Sequence, residues 1–469
     1  MPSIRRLFCA LLICSALGGA TAAPAVASHG QLTFFEAPTQ LLDPGMRGPA
    51  IAKLQALGVH ALRVQLYWQA VAPGPKSSRR PNFDATNPAN YSWGQWDPLL
   101  AEAKALHWQV LLTVTSPVPK WATAGHRDTV TRPDDLQFQQ FMTAIGRHFG
   151  SEVTLYSIWN EPDHWRFLRP QWNANGTPAS PRIYRGLFQA GYAGLKAAGI
   201  ASPKVLMGET APGGETTINP RAGMLKLVAP LVFLRGALCL NSSYVMSRSC
   251  KTLPAYGYAH HAYTNASGPF YNPPGQENVT IGVLSRLTRA LDLAARAHAI
   301  RAHMPIYLTE FGIQSKPNRT LGVSLAQQAE FDAIAERIAY ENPRVASFSQ
   351  YLLTDDPLSS AGAVGFQTGL ETSRGTAKPL YFGFPLPLTV SKRGRGFALW
   401  GLVRPATGAT TVTVLVEPRR SRGFRTLKRV LTNGAGYWAL SSTTQGSRWK
   451  VQWRGPGGVL HTGPPIRAH

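Results

Sequence analysis

Two glutamates stand directly after short apolar segments, where a charged side chain is costly unless it faces a cavity or has partners. Glu161 belongs to the segment Ile-Trp-Asn-Glu-Pro at residues 158–162, and Glu310 to Leu-Thr-Glu-Phe-Gly at residues 308–312. A pair of carboxyl groups about 5 to 5.5 Å apart, one protonated and one ionised, can break a glycosidic bond with retention of configuration. This chemistry requires a fold that brings the two side chains together.

Short β-rich apolar segments alternate with longer amphipathic segments from residue 32 onward, which is the pattern of repeated βα units. The predicted strands are residues 32–36, 62–67, 109–115, 154–159, 204–207, 256–261, 305–309 and 346–352. Eight strands with intervening helices favour a closed parallel (β/α)8 barrel over an open doubly wound sheet. No Gly-x-Gly-x-x-Gly follows the first strand, which argues against dinucleotide binding.

Two helices are predicted most clearly. One begins after Asn278, a candidate N-cap, and carries four apolar residues at helical spacing between residues 281 and 291. The other covers residues 327–340.

In a (β/α)8 barrel the carboxyl ends of the strands form the active site. Glu161 follows the fourth predicted strand and Glu310 the seventh, and these strands lie across the barrel mouth from each other. Two carboxylates placed there can face one bound sugar from opposite sides. Taken singly, Glu161 could cap a helix and Glu310 could be a surface residue, but their joint occurrence favours the catalytic interpretation.

The two motifs together resemble those of the clan A glycoside hydrolases, a set of retaining enzymes with (β/α)8 barrels. Residues 156–209 are most similar to members of families 39 and 5, and the resemblance covers roughly residues 30–385. It implies that Glu161 is the general acid/base and Glu310 the nucleophile. An ionised Glu310 is then expected to raise the pKa of Glu161 and keep it protonated.

The resemblance also implies roles for polar neighbours. Asn160 would hydrogen-bond the sugar 2-hydroxyl, and Arg63 in the second strand would keep Glu310 ionised. The segment His-Ala-Tyr on strand six matches a His-x-Tyr pattern, in which Tyr263 donates to the nucleophile and His261 lines the sugar subsite. Arg63 as an ion-pair residue inside the barrel and Tyr263 as loop core remain alternatives.

Strand eight departs from the family pattern, in which it usually ends with a tryptophan that stacks on the sugar. Residues 347–352 read Ser-Phe-Ser-Gln-Tyr-Leu, with no tryptophan. Gln350 or Tyr351 could take its place. Trp121, in the loop after strand three, could offer a stacking face or pack between loops.

Two further glutamates end predicted strands. Glu36 and Glu209 follow strands one and five, where they could bind sugar hydroxyls. Glu209 is a rival catalytic carboxylate, although no asparagine precedes it.

The first 27 residues are predicted to be a signal peptide, because two arginines precede an apolar segment at residues 7–17 that is too short to span a bilayer. A retained anchor is the alternative. Cys239 and Cys250 remain after cleavage, and export to an oxidising compartment favours a disulfide between them. Neither has a second cysteine at zinc-site spacing, and we expect no metal or organic cofactor. The mature protein is predicted to be secreted, without a membrane span.

The pattern changes near residue 385, which divides a predicted barrel domain at residues 28–385 from a predicted β-sandwich at residues 386–469. Residues 411–416, 437–440 and 449–453 read as strands separated by Gly-rich turns. The chain has a net charge of +24, and this last region contains one acidic residue, Glu417. It could bind an anionic cell-wall polymer or simply cap the barrel, and the basicity could also reflect a general solubility bias. No nucleic-acid partner is expected.

Three functions compete at this point. The first is a secreted retaining glycoside hydrolase that cleaves a carbohydrate substrate by double displacement. The second is a transglycosylase with the same residues. The third is a catalytically silent barrel that binds carbohydrate or cell wall, as the missing tryptophan and the basic region suggest. The intact trio of Asn160, Glu161 and Glu310 favours an enzyme.

Overall fold

The computed structural model describes residues 30–219, 225–357, 365–419 and 421–469. The predicted signal peptide, residues 1–27, lies outside the described residues. Eight parallel strands form a closed barrel in chain order, and β8 pairs with β1. They are β1 (Leu32–Glu36), β2 (Ala61–Tyr67), β3 (Gln109–Thr115), β4 (Leu155–Ile158), β5 (Val205–Thr210), β6 (Gly257–His261), β7 (Ile306–Glu310) and β8 (Val345–Tyr351). The predicted (β/α)8 barrel is confirmed.

Helices separate the strands and cover the outside of the barrel. They are α1 (Pro38–Leu42), α2 (Pro44–Ala56), α3 (Trp68–Val71), α4 (Asp97–Ala105), α5 (Asp135–Phe149), α6 (Ser180–Ala197), α7 (Pro230–Ala237), α8 (Leu284–Arg296), α9 (Leu325–Glu341) and α10 (Pro379–Gly383). Short 3-10 turns cover Pro88–Asn90, Lys120–Ala122, Ala124–His126, Ile281–Val283 and Pro456–Gly458.

The barrel interior is built in two layers. The lower layer is an apolar cluster to which seven strands contribute: Phe34, Ala61, Leu111, Leu155, Leu206, Ala259 and Tyr307. Side chains alternate between the two faces of a strand, so the next inward residue lies two positions further along. On β1, β2 and β6 these next residues are Glu36, Arg63 and His261. The alternation therefore places polar groups directly above an apolar floor.

The two clearly predicted helices are present, but one N-cap prediction was wrong. α9 begins after Ser324, whose hydroxyl and Gln327 form a capping box. α8 begins at Leu284, after the 3-10 turn, and no side chain caps it. The Asn278 side-chain oxygen instead accepts a hydrogen bond from the Gly214 backbone N–H, 3.0 Å away.

The predicted disulfide is present, with the sulfurs of Cys239 and Cys250 bonded at 2.02 Å. In the described part of the chain, no helix has both the length and the apolar character that crossing a bilayer would require.

The C-terminal region folds into two antiparallel sheets, as the predicted β-sandwich requires. One sheet has the order β13-β10-β9 and the other β12-β11-β14-β15. Their strands are β9 (Leu388–Arg393), β10 (Gly396–Leu402), β11 (Thr411–Glu417), β12 (Arg425–Leu431), β13 (Tyr437–Ser442), β14 (Arg448–Arg454) and β15 (Leu460–Thr462). The three strands predicted here lie within β11, β13 and β14. An apolar core that includes Val414, Trp449 and Val451 fills the space between the sheets.

Arg404 joins the sandwich to the barrel. Its Nη2 donates to both carboxylate oxygens of Glu336 on α9, each at 2.8 Å, and its Nη1 donates to Thr33 on β1. The guanidinium also lies 4.1 Å from the centre of the Phe384 ring. Because both charged side chains are buried, the Glu336 carboxylate depends on Arg404 for its hydrogen bonds.

We expect Arg404→Ala to lower the free energy of unfolding by about 3 to 5 kcal/mol, because it leaves the Glu336 carboxylate buried and unpaired. Urea unfolding followed by circular dichroism measures this loss. Arg393→Ala, at an exposed position on β9, is the matched control and should change stability by no more than about 0.5 kcal/mol. Equal losses in the two variants would contradict this role for Arg404.

Candidate active site

The polar layer above the apolar floor forms the candidate active site at the carboxyl ends of the strands. The predicted residues that meet there are Glu36, Arg63, Asn160, Glu161, Glu209, His261, Tyr263 and Glu310. Each is joined to another member of the set by a hydrogen bond or an ion pair. The structure therefore brings together residues from six strand ends that are distant in sequence.

Glu161 and Glu310 approach the same nitrogen atom. His261 Nδ1 lies 3.1 Å from Glu161 Oε1 and 3.2 Å from Glu310 Oε2. The two oxygens cannot be further apart than the sum of these distances. This bound is compatible with the spacing of about 5 to 5.5 Å between the carboxyl groups of retaining glycosidases. The two carboxylates therefore border one gap beside the His261 imidazole.

Arg63 is the hub of the polar layer, and its guanidinium is fully buried. Nη1 lies 2.7 Å from Glu36 Oε1 and 3.4 Å from Glu310 Oε2. Nη2 lies 2.5 Å from Glu209 Oε2 and 2.6 Å from Asn160 Oδ1. Burial opposes its charge, but the surrounding carboxylates hold the pKa of Arg63 well above its usual value. Arg63 thus contacts Glu310, as predicted, and it also pairs with Glu36 and Glu209 inside the barrel, which was the alternative role.

Both carboxylate oxygens of Glu209 are bonded to other protein side chains, which indicates a structural role. Its carboxylate is fully buried, it binds Arg63 through Oε2, and its Oε1 accepts from the Thr113 hydroxyl at 2.8 Å. A carboxylate tied on both oxygens is poorly placed to attack or protonate a substrate. The geometry thus favours Glu161 and Glu310 over this rival.

The pKa expected for Glu161 differs from the one that the structure supports. Burial acts to raise the pKa of Glu161, but the hydrogen bond and positive charge of His261 outweigh it and hold that pKa below the usual value. Burial acts to lower the pKa of His261, but the charge of Glu310 and the bond with Glu161 hold it above the usual value. We expected Glu310 to control Glu161 directly. His261 lies between them, and its hydrogen bond and positive charge lower the pKa of Glu161.

Backbone strain positions the ends of β4 and β5. Trp159, Glu161 and Glu209 have positive φ angles of 70°, 38° and 49°, which non-glycine residues adopt only where surrounding contacts enforce them. The Glu161 N–H donates to the Glu209 carbonyl at 3.0 Å, and the buried Trp159 indole donates to the Phe167 carbonyl at 2.9 Å. These bonds fix the turn that carries Glu161.

Asn160 and Tyr263 both lie within the polar layer, where each bonds another of its members. Because Arg63 donates to Asn160 Oδ1, the amide orientation is fixed and its Nδ2 is left as a hydrogen-bond donor. The Tyr263 hydroxyl donates to Glu310 Oε1 at 2.9 Å. Burial and the charge of Glu310 raise the pKa of Tyr263 well above its usual value, so the phenol keeps its proton.

Two predicted substrate contacts are not brought into this cluster. Trp121 is buried edge-on against Trp68, with ring centres 6.0 Å apart, and its indole donates to the Pro73 carbonyl at 3.1 Å. This is the packing alternative. Gln350 pairs in register with Phe35, which faces the helices, and its amide donates to the Thr368 carbonyl at 2.8 Å.

Tyr351 occupies the inward position at the end of β8 instead of Gln350. It pairs in register with Glu36, and burial together with the charges of Glu310 and Glu36 raises its pKa. The Phe366 ring packs edge-on against it, with centres 4.9 Å apart. Sequence reasoning missed Phe366, because it lies in a loop with no recognisable motif.

The whole chain is similar in fold to solved glycosidase structures. A glucosidase from Croceicoccus marinus has a TM-score of 0.54 at 12% identity, and the match covers 92% of this chain and 96% of that one. A family 39 glycoside hydrolase from the gut symbiont Bacteroides cellulosilyticus has a TM-score of 0.54 at 14% identity, with 90% and 80% covered. No protein-family model and no curated protein sequence matches the chain. At such low identity the similarity establishes the fold alone.

The state of Glu36 gives a test of the site's electrostatics. Burial raises the pKa of Glu36 to about 8, with a smaller rise from Glu310 and an opposing effect of Arg63. The folded state thus keeps a proton that the unfolded chain releases above about pH 4.5. The stability that depends on this proton must fall as the pH rises through that window.

We expect Glu36→Gln, which keeps an oxygen that can accept from Arg63, to remove this dependence. Between pH 5 and 8 the wild type should lose stability relative to the variant by about 1 kcal/mol per pH unit. Urea unfolding of both proteins across that range measures the difference. A difference that stays constant with pH would contradict a raised pKa at Glu36.

Proposed function

We propose that this protein is a retaining glycoside hydrolase that cleaves β-linked O-glycosidic bonds, with Glu161 as general acid/base and Glu310 as nucleophile. The observation that carries the proposal is the approach of both carboxylates to His261 Nδ1, at 3.1 and 3.2 Å. Double displacement needs two carboxyl groups at this kind of spacing around one anomeric carbon. The similarity of the fold to solved glycosidases is consistent with it.

In the first step, an oxygen of Glu310 attacks the anomeric carbon while the bond to the leaving oxygen breaks. That oxygen takes a proton from Glu161, and the product is a covalent glycosyl ester of Glu310. In the second step, ionised Glu161 removes a proton from water, and the resulting oxygen attacks the same carbon. Glu310 leaves as a carboxylate, and both side chains return to their starting states.

The proton for the first step belongs to the Glu161 and His261 pair. The pKa of His261 is raised and that of Glu161 is lowered, which favours the imidazole as the group that holds this proton before substrate binds. We propose that a bound sugar weakens the 3.2 Å contact between His261 Nδ1 and Glu310 Oε2. We propose that the proton then passes across the 3.1 Å bond to Glu161 Oε1, which protonates the leaving oxygen.

Two groups prepare the nucleophile. The Arg63 guanidinium stands 3.4 Å from Glu310 Oε2, and the Tyr263 hydroxyl donates to Oε1. Both favour the ionised carboxylate and fix its orientation for attack. Asn160 Nδ2 is available to bind the sugar 2-hydroxyl, a contact that strengthens in the transition state.

We expect Glu310→Gln to lower kcat on an aryl β-glycoside by at least about 1,000-fold, because the amide cannot form the ester intermediate. A 2-deoxy-2-fluoro glycoside should accumulate as an ester on Glu310, which peptide mass spectrometry locates. The control is Glu341→Gln, exposed at the end of α9, which should retain full activity. Label on another residue, or near-normal turnover by Glu310→Gln, would refute the assignment.

Glu161→Ala separates the acid/base role from the nucleophile. It should slow substrates with poor leaving groups far more than activated aryl glycosides, and added azide should restore turnover by replacing water at the second step. Added alcohol that appears in the product indicates transglycosylation. Binding of glycosides without any product would favour the catalytically silent barrel.

We also propose that the C-terminal sandwich binds an anionic polymer, such as one of a cell wall, and that the protein acts outside the cytoplasm. Residues 386–469 contain fourteen lysine and arginine residues and one acidic residue, Glu417. Glu417 is already paired with Arg448 at 2.7 Å. The edge strand β12 exposes Arg425, Lys428 and Arg429, and such a cationic edge attracts polyanions. The disulfide fits an oxidising, extracellular compartment.

We expect the wild type to co-sediment with insoluble polygalacturonate at low salt and to be released at about 0.5 M NaCl, since salt screens charge attraction. A triple Arg425→Ser, Lys428→Ser, Arg429→Ser variant should bind at least about fivefold more weakly. The matched control removes three exposed barrel charges, with Lys76→Ser, Arg79→Ser and Arg289→Ser. If both variants bind equally more weakly, the loss of binding depends on net charge alone. This outcome would contradict a specific binding site on β12.

A further inference from the structure

The wall of the barrel mouth beside Glu310 is aromatic. The Phe366 ring lies 4.9 Å from the Tyr351 ring and 6.0 Å from the Tyr263 ring, measured between centres. Tyr263 in turn bonds Glu310. Although it touches two other rings, Phe366 is 37% exposed. Part of the apolar Phe366 ring is thus exposed, and a single side chain, Tyr263, lies between this ring and the proposed nucleophile Glu310.

Phe366 is held in this position by its backbone. Its N–H donates to Asp356 Oδ2 at 2.7 Å, and its carbonyl accepts from the Asp356 N–H at 2.9 Å. The next residue, Gln367, donates its N–H to the Gln314 side chain at 2.7 Å. A ring fixed in this way binds a ligand face at low entropic cost.

The gap is also rich in carboxylates and short of free cations. Among the residues that the structure describes, Arg63 and His261 are the ones within ion-pair distance of Glu36, Glu161, Glu209 and Glu310. The Arg63 nitrogens all donate to protein acceptors, and His261 Nδ1 is shared by Glu161 and Glu310. His261 Nε2 is buried and lies 3.8 Å from Glu209 Oε2.

His164 adds no positive charge to the gap. The backbone N–H of His164 donates to the Glu161 carbonyl at 2.9 Å, so His164 lies next to the turn that carries Glu161. Burial lowers the pKa of His164, and the charge of Glu161 does not restore it. The imidazole is therefore neutral at neutral pH.

We infer that the subsite for the cleaved sugar accepts an uncharged pyranose, whose apolar face stacks on the Phe366 ring, and that it rejects a uronic acid. This inference rests on the proposed function. A sugar carboxylate would enter beside Glu161 and Glu310 without a free cation to receive it. Like charges brought together in a binding site are strongly unfavourable. A neutral sugar instead gains contact between its C–H groups and the Phe366 ring.

The test of charge uses matched pairs of 4-nitrophenyl glycosides, the β-glucoside with the β-glucuronide and the β-galactoside with the β-galacturonide. Each pair differs only at C6. We expect kcat/KM of the acidic member to be at least about 100-fold lower than that of the neutral member. Equal or faster cleavage of either acidic member would overturn the inference.

The test of stacking uses Phe366→Ala, which should lower kcat/KM for the better neutral substrate by about 5- to 30-fold, mainly through KM. Phe382→Ala, on α10 at 51% exposure, is the matched control and should retain wild-type values. Circular dichroism melting of both variants checks their folding. A Phe366→Ala variant that melts normally and keeps its KM would overturn the stacking role.

A binding measurement separates failure of this inference from failure of the proposed function. Saturation-transfer NMR of the Glu310→Gln protein compares methyl β-glycosides with methyl β-glycosiduronates. If nothing is hydrolysed but neutral glycosides bind in a Phe366-dependent way, the inference stands and the enzyme proposal fails. If neutral glycosides are hydrolysed without dependence on Phe366, the enzyme proposal stands and the inference about Phe366 fails. If no glycoside binds or reacts, both are overturned.

Discussion

One buried guanidinium holds the site together. Arg63 donates to Glu36, Glu209, Glu310 and Asn160 from the middle of the barrel mouth. Without it, several carboxylates would stand unpaired in a buried space, where an isolated charge is strongly unfavourable. The arginine therefore makes a dense group of acids compatible with folding, and it helps to set the direction in which Glu36, Glu209 and Glu310 point. The orientation of Glu310 and the structural role of Glu209 depend on the same side chain.

The barrel supplies this arrangement through the alternation of its strands. Residues such as Ala61 and Ala259 belong to the apolar floor, and Arg63 and His261, two positions later on the same strands, form the polar layer. The hydrophobic contacts that close the barrel thus also exclude water from beneath the site, which strengthens every ion pair above it. Rigid strands hold Arg63 and His261, whereas Glu161, the proposed acid/base, lies on a strained turn that hydrogen bonds must secure.

The sequence predicted the eight strands well, because each is a short apolar segment bounded by polar or glycine-containing segments. It also identified Glu161, Glu310 and their immediate partners, since polar residues at strand ends stand out against apolar surroundings. It did not distinguish Gln350 from Tyr351, because the choice depends on a bulge. The pairing of β7 with β8 shifts between Ile306 and Tyr307, and a one-residue shift exchanges the two faces of a strand. The pKa of Glu161 was mispredicted because sequence does not show that His261 stands between the two carboxylates.

Charge is divided between the two parts of the chain. In the barrel mouth, every nearby cation that the structure describes is already paired with carboxylates, whereas the sandwich has one acidic residue, and that residue is paired with Arg448. On the two proposals, these are opposite requirements for a ligand, since the first surface would disfavour an anionic sugar and the second would attract one. A polymer with both acidic and neutral sugars satisfies both. On the two proposals together, the acidic units would bind the sandwich and raise the local concentration of neutral linkages at the barrel, because tethering makes the second binding event intramolecular. The sandwich would then raise the rate of cleavage at low substrate concentration. Glu161, Glu310 and the aromatic wall would still determine which glycosidic bond is cleaved.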